Sequence, residues 1–317
     1  MIELTEVMTV TTNNKLIGMM LAVLLLLTPL TACGTASTET KYLSKTSDIY
    51  QFEDYESSEL FDIVRVDLGD SYAGLCASYQ FTYLSDGLKI KGYISFPQSA
   101  ISSQEKYKCL LYNRGGNRDY GALEEDETAK LCIASDRIVI ASQYRGGGGS
   151  EGEDQFGGDD MHDVIRLIDF CEKDFAFADM EDFCVAGASR GGMMTYLAAK
   201  QDSRVKRIVA VAAVSDLFQS YEEREDMRDV LQETIGYTPE KAPEEYEKRS
   251  AIFWPEEIRI PVLLIHSTGD KKVSYQQTQA LYEKLKDVTD CTLITHDDDV
   301  HGFHQEDAQT IRDWLEK

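Results

Sequence analysis

Ala186-Gly187-Ala188-Ser189-Arg190-Gly191-Gly192 is the stretch that decides how this chain is read. Phe183-Cys184-Val185-Ala186 leads into it and reads as a short buried strand. Met193-Met194-Thr195-Tyr196-Leu197-Ala198-Ala199-Lys200 follows and is rich in helix formers. Strand, sharp turn and helix around Gly-x-Ser-x-Gly is the setting of a nucleophile elbow. The glycines let strand and helix approach closely while the serine takes a strained backbone conformation. The turn presents the Ser189 hydroxyl at a helix N-terminus, where unpaired N–H groups favour developing negative charge. The plain alternative is a βα turn with a surface serine, because the motif by itself recurs by chance.

A nucleophilic serine needs a base, and the base needs an acid to orient it. The chain has five histidines, His162, His266, His296, His301 and His304. Asp270 closes Ile260-Pro261-Val262-Leu263-Leu264-Ile265-His266-Ser267-Thr268-Gly269-Asp270, an apolar strand with a short turn. His301 stands in Asp299-Val300-His301-Gly302-Phe303, after the β-like run Cys291-Thr292-Leu293-Ile294-Thr295. Both therefore project from loops at the carboxyl edge of a parallel sheet, the edge that carries Ser189. Asp270 could instead cap a helix beginning near Ser274, and a loop histidine is often only a solvated side chain. The order Ser, Asp, His favours the catalytic reading. His266 reads as a strand-end structural residue, and His304 sits where the last helix begins.

After residue 60 the pattern is strand-rich, then alternating. Strands are expected near 78–84, 88–96, 108–113, 137–142, 183–187, 207–213, 261–266 and 291–296. Helices are expected near 120–134, 159–173, 191–201, 274–287 and 305–316. Antiparallel strands followed by βα units predict an α/β-hydrolase fold: a mostly parallel central sheet flanked by helices. Residues 217–255 break this rhythm and read as a small helical cap insertion, with two helices over the site. Tyr221, Tyr237, Phe253 and Trp254 are candidate pocket walls there, or cap-to-domain packing.

With these blocks in view, the chain resembles the catalytic domain of the prolyl oligopeptidase family of serine hydrolases. Tyr83-Leu84-Ser85-Asp86-Gly87-Leu88-Lys89-Ile90-Lys91-Gly92-Tyr93-Ile94 resembles the family's opening hairpin. Gln143-Tyr144-Arg145-Gly146-Gly147-Gly148-Gly149-Ser150 resembles its Arg-Gly-Ser-Gly loop, and Asp159-Asp160-Met161-His162-Asp163-Val164 the start of the next helix. Pro243-Glu244-Glu245-Tyr246-Glu247-Lys248-Arg249-Ser250 resembles the block before the last strands. The resemblance implies Ser189 as nucleophile, Asp270 as orienting acid and His301 as general acid/base. Two departures stand out. Where the family usually has a Tyr or His near the oxyanion, the loop Tyr112-Asn113-Arg114-Gly115-Gly116-Asn117 carries Arg114. Arg114 could aid charge stabilisation or bind a substrate carboxylate, or the backbone of Gly115 or Gly116 could donate. The second oxyanion donor is expected to be the backbone N–H of Arg190. The other departure is that no stretch is long enough for the N-terminal β-propeller of large family members.

The front of the chain speaks to location. Residues 16–30 are an apolar run of signal-peptide length, preceded by Lys15, and Leu30-Thr31-Ala32-Cys33 resembles a bacterial lipobox. Residues 1–32 are thus expected to be a lipoprotein signal peptide, with Cys33 lipidated. Residues 33–60 would form a tether and N-terminal arm, and residues 61–317 the hydrolase domain. The expected location is the bacterial cell envelope, outside the cytoplasm, with membrane contact only through the lipid. A transmembrane anchor is disfavoured because the run is short of the roughly 20 residues a span needs.

A net charge of −24 disfavours nucleic acid and anionic membrane surfaces as partners. Hydrophobic residues make up 43% of the chain, enough for a sizeable core. Cys109, Cys184 and Cys291 lie in apolar runs, where buried thiols are commoner than disulfides. Asp159-Asp160-Met161-His162-Asp163 needs only a helix dipole to explain it. Asp297-Asp298-Asp299 lacks the spacing of a calcium loop. Gly146-Gly147-Gly148-Gly149 is followed by no phosphate-binding Lys-Ser/Thr and suits a tight loop at the site's edge. No metal and no cofactor are expected. The function expected is cleavage of a peptide or small ester through a Ser–Asp–His triad and an acyl-enzyme, most like a family peptidase. A carboxylesterase or deacetylase of the same fold is the alternative, and a non-catalytic binding lipoprotein the second.

Overall fold

Alternation along the strands sets the layers. The computed structural model describes Phe52, Asp54, Tyr55, residues 57–103 and residues 105–317. The expected signal peptide, Cys33 and most of the tether lie outside the described residues. Nine strands form one sheet: β1 (Leu60–Arg65), β2 (Cys76–Ser85), β3 (Leu88–Pro97), β4 (Tyr107–Asn113), β5 (Ile138–Ser142), β6 (Ala178–Ala188), β7 (Arg207–Val211), β8 (Val262–Ser267) and β9 (Cys291–His296). Their order is β1-β2-β3-β5-β4-β6-β7-β8-β9. β1, β2, β3 and β5 pair antiparallel, and every ladder from β5 through β9 is parallel. The expected α/β-hydrolase sheet is the observed one.

Successive side chains of a strand face opposite ways. Leu111, Ile140, Val185, Ala210 and Leu264 therefore share one face with residues of α3 (Asp160–Lys173), α4 (Arg190–Gln201) and α8 (Tyr275–Leu285). Leu110, Val139, Cys184, Val209 and Leu263 face α2 (Glu127–Ser135) and α9 (Ala308–Leu315) through Cys132, Trp314 and Leu315. A four-residue helix, α1 (Gln98–Ile101), follows β3. Phe52 is fully buried among Tyr79, Phe96 and Phe175, with ring centroids about 5.5 Å away.

Between β7 and β8 the chain leaves the sheet for α5 (Leu217–Glu223), α6 (Glu225–Ile235) and α7 (Pro243–Glu247). The expectation of two helices is corrected to three. Asp216 starts α5 by accepting the N–H groups of Phe218 and Gln219 at 2.9 and 3.1 Å. Arg224, with φ −117° and ψ 92°, breaks the run before α6, and Gly236 at φ 91° ends it. The helix expected over 120–134 begins only at Glu127, because Asn117 and Tyr120 close a tight turn in front of it.

Candidate active site

The parallel strands end at one edge, and the loops leaving β4, β6, β8 and β9 meet there. Ser189 follows β6 and stands at the N-terminus of α4 with φ 58° and ψ −125°. A non-glycine residue held there stores on the order of 1–3 kcal/mol of strain. The surroundings over-determine it: its N–H donates to Val211 O at 2.9 Å, and its carbonyl accepts from Val214 N at 3.2 Å. Gly191 is obligatory, since a Cβ there would lie 1.9 Å from the Asn113 carbonyl oxygen.

Asp270 leaves β8 and His301 leaves β9. His301 Nδ1 lies 2.7 Å from Asp270 Oδ2. Asp270 Oδ1 accepts the N–H groups of Lys272 and Val273 at 2.8 and 3.2 Å. The carboxylate is thus locked in plane, and facing it His301 carries its proton on Nδ1 and presents Nε2 as a base. Burial by itself would raise the Asp270 carboxyl. Hydrogen bonds from His266 and His301, and the Lys272 N–H, outweigh burial and hold it well below the ordinary carboxylate range.

His266 is a partner the sequence did not reveal. Its Nε2 lies 3.0 Å from the Val273 carbonyl and 3.2 Å from Asp270 Oδ2, and its Nδ1 2.6 Å from Thr278 Oγ1. A carbonyl only accepts, so Nε2 carries the proton. His266 is fully buried and serves as the structural residue expected of it, with the added task of holding Asp270.

Ser189 and His301 both line a cavity of about 890 Å³. Gly115, Gly116, Tyr120, Phe156 and Val214 also line it. Leu217 of α5 and Met227, Val230 and Leu231 of α6 supply an apolar wall from the cap. The spacing of the last three is a helical face that sequence reading could have found. The aromatic residues proposed as walls lie elsewhere: Tyr237 and Phe253 are exposed, Tyr221 packs on Tyr246, and Trp254 lies beneath Lys200.

Arg114 corrects an expectation. Its side chain is buried and does not line the cavity. The guanidinium donates to the carbonyls of Gln143 at 2.7 and 2.9 Å, Arg118 at 2.8 Å, Gly115 at 3.1 Å and Gly121 at 3.3 Å. Five N–H donors in a rigid fork suit this carbonyl cluster, which leaves none for a substrate. The Arg190 side chain is likewise internal. It pairs with Asp154 at 2.6 Å, with Asp160, and with the Gly116 carbonyl at 3.1 Å, between the rings of Tyr144 and Phe156. Asp160 is therefore a buried counter-ion, not only a helix-start charge. Arg190→Met would leave two buried carboxylates without their cation, a loss of about 3–5 kcal/mol and about 10 °C in Tm. Burial by itself would raise the Asp154 carboxyl, and Arg190 outweighs burial and holds it below its ordinary range, so the deficit should shrink as the pH falls through that range. Thermal melts at several pH values check both the size and the sign.

Gly115 sits directly against Ser189: a Cβ on it would lie 3.5 Å from Ser189 Cβ. The glycine run at 146–149 does not line the cavity, and Gly148 N–H instead donates to Asp119 at 2.9 Å. His162 caps no site and bonds Asp86 at 2.7 Å on the surface. His304 does not line the cavity and stacks on His296.

The sequence profile of the prolyl oligopeptidase family matches residues 125–317. The chain belongs to the prolyl oligopeptidase family. It is a serine hydrolase with the α/β-hydrolase fold. The uncharacterized peptidase YtmA of Bacillus subtilis (strain 168) is 34% identical over 209 residues, covering 66% of this chain and 79% of that protein. An acylaminoacyl peptidase of Pyrococcus horikoshii superposes with a TM-score of 0.65 at 22% identity, over 78% of this chain and 42% of that one. Acetyl xylan esterase 1 of Thermoanaerobacterium sp. JW/SL YS485 superposes with a TM-score of 0.61 at 15% identity, over 80% of this chain and 87% of that one. These two structural likenesses speak to the fold alone. The chain spans less than half the length of the acylaminoacyl peptidase.

Proposed function

We propose that Ser189, His301 and Asp270 are the nucleophile, general base and orienting acid of a serine peptidase. The observation that carries this reading is the 2.7 Å bond from Asp270 to His301 Nδ1, with His301 and Ser189 facing one cavity. Ser189 Oγ attacks the scissile carbonyl, and His301 Nε2 takes its proton. The same proton then goes to the leaving amine, and water releases the acyl group from Ser189. The Arg190 N–H, in the first turn of α4 and without an intrahelical acceptor, is one oxyanion donor. The Gly115–Gly116 loop supplies the other. Arg114 draws the Gly115 carbonyl inward, and a trans peptide then aims the Gly116 N–H the opposite way. Arg114 is on this reading a positioning residue for the donor and touches no substrate.

A matched anilide and aryl ester of one acyl group test the choice between peptidase and esterase. The peptidase reading expects steady turnover of both. Acylation by the ester with no anilide turnover at any concentration would leave the carboxylesterase or deacetylase as the function. The apolar cap wall sets acyl preference. Met227→Ala should raise KM about tenfold for long apolar acyl groups and leave acetyl substrates unchanged, consistent with the small worth of each methylene in a pocket. An acyl-chain series in steady-state kinetics checks it. We also read the chain as an envelope lipoprotein, on the support of the apolar run at 16–30 and Leu30-Thr31-Ala32-Cys33. Cys33→Ala should move the protein from the membrane fraction to the soluble fraction of the cell envelope.

A further inference from the structure

Strand β9 ends in His296, and the loop that carries His301 returns the chain to His304 and Asp307 at the foot of α9. The imidazoles of His296 and His304 stack with centroids 3.8 Å apart and planes 23° apart. His296 Nε2 lies 2.9 Å from Asp307 Oδ2, and His304 Nδ1 lies 3.7 Å from the same oxygen. His304 Nδ1 is buried and has no hydrogen-bond partner. The outward nitrogens are held by two further carboxylates. His296 Nδ1 is 3.1 Å from Glu306 Oε1, and His304 Nε2 is 2.9 Å from Asp298 Oδ2.

A carboxylate only accepts, so the proton of a neutral His304 ring lies on Nε2, toward Asp298, and the buried Nδ1 turns an unshared lone pair toward Asp307. His296 has a carboxylate at each nitrogen, Asp307 at 2.9 Å from Nε2 and Glu306 at 3.1 Å from Nδ1, so a cation at Nε2 would leave its proton on Nδ1, where Glu306 accepts it. An unshared lone pair beside a buried carboxylate, with a second imidazole on the same oxygen, suits a cation. The outward carboxylates do what outer partners do in metal sites: they fix the tautomer and raise the basicity of the ring.

We propose that His296, His304 and Asp307 bind one zinc-class divalent cation. Two imidazole nitrogens and one carboxylate oxygen are the ligand set of zinc, whereas calcium and magnesium take oxygen alone. The three donor atoms lie within 4.8 Å of one another. Closing to the roughly 3.4 Å between ligands around a tetrahedral zinc requires the stacked rings to splay. Water completes the fourth position. The ion ties the end of β9 to the start of α9, and so pins both ends of the segment that presents His301. It is a clamp on that loop and takes no part in acyl transfer.

The test strips the full chain with chelator and titrates it with cobalt(II), then with zinc. One equivalent of cobalt should give visible d–d bands without a thiolate charge-transfer band, and zinc should displace it. Zinc at a hundredfold excess over Kd should raise Tm by about 5 °C. His296→Gln and His304→Gln should abolish the spectrum. Glu306→Gln, at an exposed residue that folding does not need, should weaken binding about tenfold. His301→Ala should keep it. Absence of a stoichiometric cobalt spectrum in folded wild type overturns the proposal, leaving the cluster a network of hydrogen bonds between imidazoles and carboxylates. Undiminished affinity in Glu306→Gln and in folded histidine variants does the same. Loss in His301→Ala would place the ion on the Asp270–His301 pair and also overturn it.

Discussion

Ser189→Ala should lower kcat by about 10⁶ on any substrate the wild type turns over, the scale seen when a serine nucleophile is removed from a working triad. On the reading proposed above, the Ser189 hydroxyl is the group that forms the acyl-enzyme. Stability should barely move. Alanine meets the same backbone strain at φ 58° as serine, and the bonds that hold this residue run through its N–H and carbonyl. Tm within about 1 °C of wild type, beside a collapse of kcat, separates lost chemistry from lost folding. A residual rate within tenfold of wild type would mean that another residue is the nucleophile.

Asp270→Asn should lower kcat by about 10⁴, the cost of a histidine held in the wrong tautomer. An asparagine oxygen can still accept from Lys272 and Val273 N–H, so the amide NH₂ takes the place of Oδ2. That NH₂ faces His301 Nδ1, which must then accept. The proton moves to Nε2, and the base toward Ser189 is lost. The NH₂ also meets His266 Nε2–H, donor against donor, which costs about 1–3 kcal/mol. The pH dependence carries a sign. The folded-state pKa of Asp270 is depressed, so its contribution to stability is fully present above the unfolded carboxylate value near about 4. It is lost as the pH falls through the lower folded value. The Tm gap between wild type and Asp270→Asn should therefore narrow below about pH 4. A gap that widens on acidification would contradict the assigned hydrogen bonds.

What could be read from the sequence was what depends on neighbours in the chain. Ser189 was legible because strand, turn and helix lie within a few residues of it. Asp270 and His301 were legible because each follows an apolar strand, and parallel strands end at one edge. Arg114 was placed in the right loop, but nothing local tells which way a side chain turns. Its partners at Gln143 and Gly121 come from packing. Arg190, Asp154 and Asp160 form their buried trio across 30 and 36 residues, a separation that no periodicity reports. β1 escaped because it is an edge strand with one neighbour, so Leu60–Arg65 needs no continuous apolar run. The break at Arg224 that divides the cap helices is set by the bonds of Arg224 to Asp226 and to the Lys272 carbonyl, the latter 48 residues away.

The central claim is that Ser189 is an activated nucleophile. Fluorophosphonate labelling of wild type beside Ser189→Ala, with mass spectrometry to locate the adduct, tests it most directly. The account predicts one stoichiometric adduct on Ser189, absent from the alanine variant and strongly slowed in Asp270→Asn. A folded wild type that stays unlabelled, or an adduct on another residue, would contradict it.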